Sequence, residues 1–147
     1  MILPDVNVLV YAYRQDVADH QRYRDWLART VATGRPYGIS EFVLSAFVRI
    51  VTNRRVFRNP STPADALSFT GRLLSAPNCV PVRPGPGHWA IFDRLCRRHA
   101  VTGNLVPDAY LAAIAIESGC ELATADRDFA RFTGLHWRHP LTATPGR

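Results

Sequence analysis

Apolar positions recur along this chain with two alternating periods, short runs of three to five residues and longer stretches with a helical repeat. Ile2–Pro4 reads as a first strand, followed by a helix that begins within 6–14. From His20 to Val31 the residues Tyr23, Trp26, Leu27 and Thr30 fall on one helical face. Tyr37-Gly38-Ile39 is short enough for a second strand, and Ser40 stands where it can cap a helix whose inner stripe is Val43, Ala46, Phe47, Ile50 and Val51. The Arg-, Asn- and Pro-rich stretch 53–63 reads as a loop. Pro63 then suits a helix start, with Ala66, Leu67, Phe69, Leu73 and Leu74 as its buried positions.

A strand near 79–82 leads through the Pro-Gly loop 83–87 into a helix expected to turn Trp89, Phe92, Leu95 and Cys96 inward. Pro107 is expected to open a helix that runs to about Ser118 and stops at Gly119. A strand over 120–124, a short helix over 126–132 and a last strand over 135–138 complete the chain. Strands alternating with helices predict an α/β domain, and 147 residues is the length of one domain, here taken as 1–147.

Charge narrows the function classes. The formal net charge is +6 with a sequence pI near 9.9, which points to an anionic partner. All 18 basic residues are Arg, a bias that a GC-rich genome would also produce. The absence of Lys excludes a P-loop NTPase, a phospho-aspartate receiver and lysine Schiff-base chemistry. Cys79, Cys96 and Cys120 are odd in number and set among apolar residues, so they read as free thiols in a reducing, cytoplasmic setting. No basic leader precedes Asp5, and no apolar run reaches the ~20 residues of a membrane span. Gly85-Pro86-Gly87-His88-Trp89-Ala90 matches a dinucleotide fingerprint in form. It comes late in the chain, however, with a proline stiffening the turn, and reads as a plain loop.

The chain has only 12 acids, so their placement carries information. Asp5 follows the first strand inside an apolar run; alone, it would read as a helix cap. Glu41 also stands where a strand hands over to a helix, on the side of that helix away from the apolar stripe, where a solvated first-turn carboxylate is the plain reading. Asp108 is the one charged residue between Leu105 and Ile116, in the first turn of a helix apolar on all sides. Asp126 and Asp128 follow the strand over 120–124, and either could cap the helix after it. In an open parallel sheet, the carboxyl ends of the strands share one edge, and ligands bind there. Carboxylates gathered at that edge would repel one another by several kcal/mol, and a hard divalent cation removes the repulsion. The joint pattern therefore predicts a metal site able to activate water and to shield a phosphodiester.

These same segments resemble a known family. Asp5-Val6-Asn7-Val8-Leu9, Ser40-Glu41-Phe42, Pro107-Asp108-Ala109-Tyr110-Leu111-Ala112-Ala113 and Thr124-Ala125-Asp126-Arg127-Asp128-Phe129 are similar to the PIN-domain ribonuclease toxins of bacterial toxin–antitoxin pairs, the VapC type. Phe47-Val48-Arg49-Ile50 and Gly87-His88-Trp89 extend the likeness over nearly the whole chain. The resemblance implies a three-layer α/β/α sandwich around a mostly parallel sheet, RNA as the substrate, cut to stop translation, a VapB-type antitoxin as partner, and a homodimer.

The mechanism expected is metal-assisted hydrolysis of RNA, with Asp5, Glu41, Asp108 and Asp126 binding Mg²⁺ or Mn²⁺ and Asp128 near the edge of the site. Asn7 and Thr124 are expected either to orient these ligands or to serve as turn and cap residues. Arg54, Arg55, Arg58, Arg94, Arg97 and Arg98 are candidate phosphate contacts. Two rival readings are a catalytically silent PIN-fold module that holds RNA or a protein, and a DNA nuclease of the same architecture. A two-aspartate phosphatase fits poorly, because Asn7 stands where its second Asp belongs.

Overall fold

A computed structural model describes residues 1–142. Five strands form one parallel sheet: β1 (Ile2–Pro4), β2 (Tyr37–Ile39), β3 (Cys79–Pro81), β4 (Glu121–Ala123) and β5 (Trp137–Arg138), in the order β3-β2-β1-β4-β5. The helices are α1 (Val6–Tyr13), α2 (His20–Ala32), α3 (Glu41–Val51), α4 (Pro63–Ser75), α5 (His88–Arg98) and α6 (Leu105–Ser118), with a 3₁₀ helix at Arg127–Arg131. From β1 to β2 to β3 the chain steps outward in one direction; from β3 it returns past β1 to β4. Right-handed crossovers then put the helices of the first two connections on one face and α5 and α6 on the other. This is the expected sandwich, and its direction reverses between β1 and β4.

The central strand is buried on both faces. Leu3, Leu9, Ile39, Phe47, Ile114 and Leu122 are almost wholly out of water and form the middle of the core. The Tyr37 hydroxyl, also inside, donates to the Leu73 carbonyl at 2.6 Å, so the buried phenol keeps a partner. Gly119 ends α6 in the left-handed conformation (φ 67°), as its position predicts. The three cysteines are free thiols, Cys120 buried and Cys79 and Cys96 half-buried. Among the described residues no helix is long and apolar enough to cross a membrane. The predicted domain, 1–147, includes residues 143–147, which lie outside the described residues.

Several expectations are corrected. α6 starts at Leu105 rather than Pro107, which falls in its first turn, where a missing N–H leaves no helical bond unmade. Leu67 and Leu74 on α4 are 57% and 40% exposed, because α4 packs mainly on α3 and β3 and buries the narrow row Ala66, Thr70 and Leu73. Trp89 is 67% exposed. The inward place goes to its neighbour His88, whose Nε2 lies 3.0 Å from the Tyr110 carbonyl and whose ring meets Tyr110 edge-on at 4.3 Å.

The loop before α5 is tied down from α6. The Glu117 carboxylate accepts from the backbone N–H groups of Gly85 and Gly87 at 2.7 and 2.8 Å. A Cβ at Gly85 would stand 2.7 Å from a Glu117 oxygen, so a larger residue there would push the carboxylate off its two donors. These donors are engaged within the protein, in keeping with a structural loop rather than a pyrophosphate cradle.

Candidate active site

The topology places the site. Asp5 directly follows β1 and Thr124 directly follows β4, at the carboxyl ends of the two strands between which the winding reverses. That is where an open α/β sheet leaves a crevice.

Asp5 is only 3% exposed. One of its oxygens accepts the Val6 N–H at 2.6 Å and thereby caps α1. Its other oxygen accepts from the Thr124 hydroxyl at 2.7 Å and from the Asn7 side-chain amide at 2.9 Å. Thr124 is fully buried, and its hydroxyl oxygen also accepts the Asp126 N–H at 3.0 Å. Asn7 accepts the Ala125 N–H at 3.2 Å. Asn7 and Thr124 thus lock the end of β1 to the end of β4 and fix the Asp5 carboxylate between them.

The electrostatics define a cluster. Burial pushes the Asp5 carboxyl up to about 6; the bonds from Thr124, Val6 and Asn7 oppose this, and the charge of Asp126 adds to it. Asp108, half-buried in the first turn of α6, is likewise raised to about 6 by burial and then by the charges of Asp5 and Asp126. Arg131 works against the rise and Asp128 reinforces it. Asp126 caps the 3₁₀ helix by accepting the Asp128 N–H at 2.8 Å, and Asp128 is exposed at the rim. The structure therefore brings together Asp5, Asp108, Asp126 and Asp128.

Glu41 stands apart. It lies at the carboxyl end of β2, as predicted, but its side chain is 62% exposed and pairs with Arg83 at 2.8 Å, which holds its carboxyl below the usual range. It is not among the charges that raise Asp5 or Asp108. Ser40 occupies the N-cap position of α3 without making a capping bond, and its buried hydroxyl has no partner. Among the described residues, no group of three or more His, Cys, Asp or Glu side chains is gathered tightly enough to hold a metal ion as it stands.

A cleft of about 410 Å³ opens from Asp5 and Asp108 between α3 and α6, and Phe42, Arg49 and Asn104 also line it. Sequence reasoning missed Arg49, Asn104 and Arg131. Arg49 carried a signal, since it shares a helical face with Phe42, Ser45 and Ala46, one position off the apolar stripe. The arginines singled out from the sequence are exposed and do not line this cleft.

Replacing Thr124 by Val tests the lock. It keeps the shape but removes the bond to Asp5 and leaves the Asp126 N–H unmatched. The expected result is a loss of about 1–3 kcal/mol in denaturant unfolding. Unchanged stability would mean that the hydroxyl does not fix Asp5.

Comparison with known proteins identifies the family and the fold. The PIN-domain family model matches residues 2–135. The chain is 47% identical over 141 residues to ribonuclease VapC43 of Mycobacterium tuberculosis, covering 96% of each chain. It is 42% identical over 142 residues to ribonuclease VapC25 of the same organism, covering 96% of this chain and all of that one. Its fold is that of VapBC2 from Rickettsia felis, solved with a promoter DNA fragment (TM-score 0.67, 20% identity, 94% of this chain and 98% of that one). It is also that of M. tuberculosis VapC20, described as a sarcin–ricin loop cleaving toxin (TM-score 0.64, 16% identity, 92% and 99%). With the reversal point occupied by Asp5 and Asp126, and relatives of this identity spanning the chain, the protein belongs to the PIN-domain family and within it to the VapC group.

Proposed function

We propose that this protein is a Mg²⁺- or Mn²⁺-dependent endoribonuclease, a phosphodiester hydrolase that acts as the toxin of a toxin–antitoxin pair and cuts RNA to inhibit translation. Its partner would be a VapB-type antitoxin, and its working form a homodimer. The observation that carries the reading is that buried Asp5 and half-buried Asp108 line one cleft where the winding of the sheet reverses, with Asp126 tied to Asp5 through Thr124. The VapC43 and VapC25 relatives are named ribonucleases, which supports RNA as the substrate.

The donors are all hard oxygens, the set that Mg²⁺ and Mn²⁺ favour. Asp5 and Asp108 have carboxyls raised to about 6 because negative charge is crowded and desolvated there, which is the condition a cation relieves. Asp5, Asp108 and Asp126 would hold the ion once their side chains close on it, with Asp128 at the rim. Glu41 would join only by leaving Arg83. When bound, such an ion supplies a more acidic water and offsets charge on the phosphate. The chain's own part is positional. Thr124 and Asn7 keep Asp5 in one orientation, and Arg131 balances part of the negative charge near Asp108.

The test is to incubate structured RNA and single-stranded DNA with the protein, in Mg²⁺ or Mn²⁺ and in EDTA. RNA cut only with divalent ions, with DNA intact, is the expected result. Cleavage that persists in EDTA removes the metal role, and cleavage of DNA alone makes the protein a DNA nuclease. Binding without turnover in saturating Mg²⁺ and Mn²⁺ makes it a silent binding module, the outcome that the Glu41–Arg83 pairing would favour.

A further inference from the structure

The cleft between α3 and α6 has two matching walls. Phe42, Ser45, Ala46 and Arg49 stand at i, i+3, i+4 and i+7 on α3; Asn104, Pro107, Asp108 and Leu111 repeat that spacing at the start of α6. Each wall is therefore one helical face, and the floor between them carries Asp5. The charged side chains of the cleft are the two aspartates and Arg49.

Arg49 makes no ion pair among the described residues, although two carboxylates line the same cleft. The cation that acts on Asp108 is Arg131, not Arg49. Arg49 lies seven residues beyond Phe42 on α3, about 10 Å along the helix axis. Arg49 is exposed and lines the cleft together with Asp5 and Asp108. Asn104 stands opposite at the N-cap position of α6 and makes no capping bond, so its amide is free for a ligand.

Resting on the nuclease reading, we propose that Arg49 and Asn104 form a phosphate subsite that seats a backbone phosphate of single-stranded RNA next to the one being cut. The guanidinium offers a planar fork of donors to phosphate oxygens, and the Asn104 amide adds a neutral donor. A cation that shares the cleft without pairing to the aspartates draws the strand in and leaves the carboxylates free.

The experiment measures binding of a fluorescein-labelled, mixed-sequence single-stranded RNA in EDTA over a range of salt, then cleavage of the same RNA in Mg²⁺. For Arg49→Gln we expect roughly tenfold weaker binding and a shallower plot of log Kd against log salt. The slope should fall by about 0.7, the value for neutralising one phosphate fewer on a single strand. In cleavage, KM should rise more than kcat falls, and Arg49→Lys should recover the salt slope but only part of the affinity. An unchanged slope and KM in Arg49→Gln, with cleavage intact in the unaltered protein, overturns the subsite and leaves the nuclease reading standing. No binding or cleavage of RNA by the unaltered protein overturns both. If Arg49→Gln binds RNA normally but loses affinity for a co-expressed antitoxin, the arginine meets an acidic protein segment and the subsite is wrong.

Discussion

Asp108→Asn is expected to abolish RNA cleavage while raising the melting temperature of the metal-free protein at pH 7.5. Loss of activity should be on the order of 10³-fold or more, the scale on which removal of one member of an acting unit is felt. The gain in stability comes from the same carboxylate. Asp108 is raised to about 6 by burial and by Asp5 and Asp126, so at pH 7.5 the folded protein holds a charge it disfavours. Asparagine keeps the shape and removes that charge. Because Asp108 is half-exposed, water screens part of the effect, and a gain of about 1 kcal/mol is the reasonable scale. In a protein of this length that raises the melting temperature by roughly 2–4 °C. At pH 5 the folded carboxyl is mostly protonated but the unfolded one has largely ionised, so the advantage should shrink to about half, and it should vanish only near pH 3.8. Retained cleavage, or a lower melting temperature at pH 7.5, would remove Asp108 from the site.

In EDTA, the unaltered protein should lose stability as the pH rises from 4 to 7. Asp5 and Asp108 have folded-state values of about 6 against an ordinary value of 3.8. Between those values the folded chain keeps protons that the unfolded chain has released. Their contribution is therefore complete below about pH 3.8 and is lost as the pH climbs through 6. For Asp5 alone, a rise of this size amounts to about 3 kcal/mol, an upper figure because the neighbouring carboxyls raise one another. Asp16 and Glu41 shift the other way, each through an exposed pairing with an arginine. Calorimetry from pH 4.5 to 8, with and without Mg²⁺, measures the balance. Millimolar Mg²⁺ at pH 7.5 should recover most of the loss and do little at pH 4.5, where the ligands are protonated. A flat profile in EDTA, or a melting temperature indifferent to Mg²⁺ and Mn²⁺ at pH 7.5, would defeat the metal assignment.

Local pattern made the elements legible. Strands of three residues between amphipathic helices left few other arrangements, and acids at strand ends pointed to one edge of the sheet. Asp5 and Asp108 could be singled out because each is a lone charge among apolar neighbours, and such a charge needs a compelling environment. Glu41 was harder. Its position in the chain is right, but which partner an exposed carboxylate takes depends on Arg83, 42 residues away, and no periodicity encodes that. Trp89 shows the same limit. Bulk argued for burial, but one step of 100° around α5 decides between Trp89 and His88, and the carbonyl of Tyr110 favoured the imidazole. Arg49 was hidden because it stands next to an apolar stripe, and only the approach of α6 turns that flank into a wall.

The bond from Thr124 to Asp5 joins residues 119 apart in the chain. β1 also pairs in register with β4, Ile2 with Glu121 and Pro4 with Ala123. In a growing polypeptide Asp5 is therefore made well before its fixing hydroxyl and the Asp126 beside it. Contacts of such long range form late and slowly. The nascent chain thus carries its first carboxylate without the partners that orient it, and a prematurely terminated fragment ending before β4 cannot assemble the site. A nuclease built in this way gains its site only once β4 has joined the sheet.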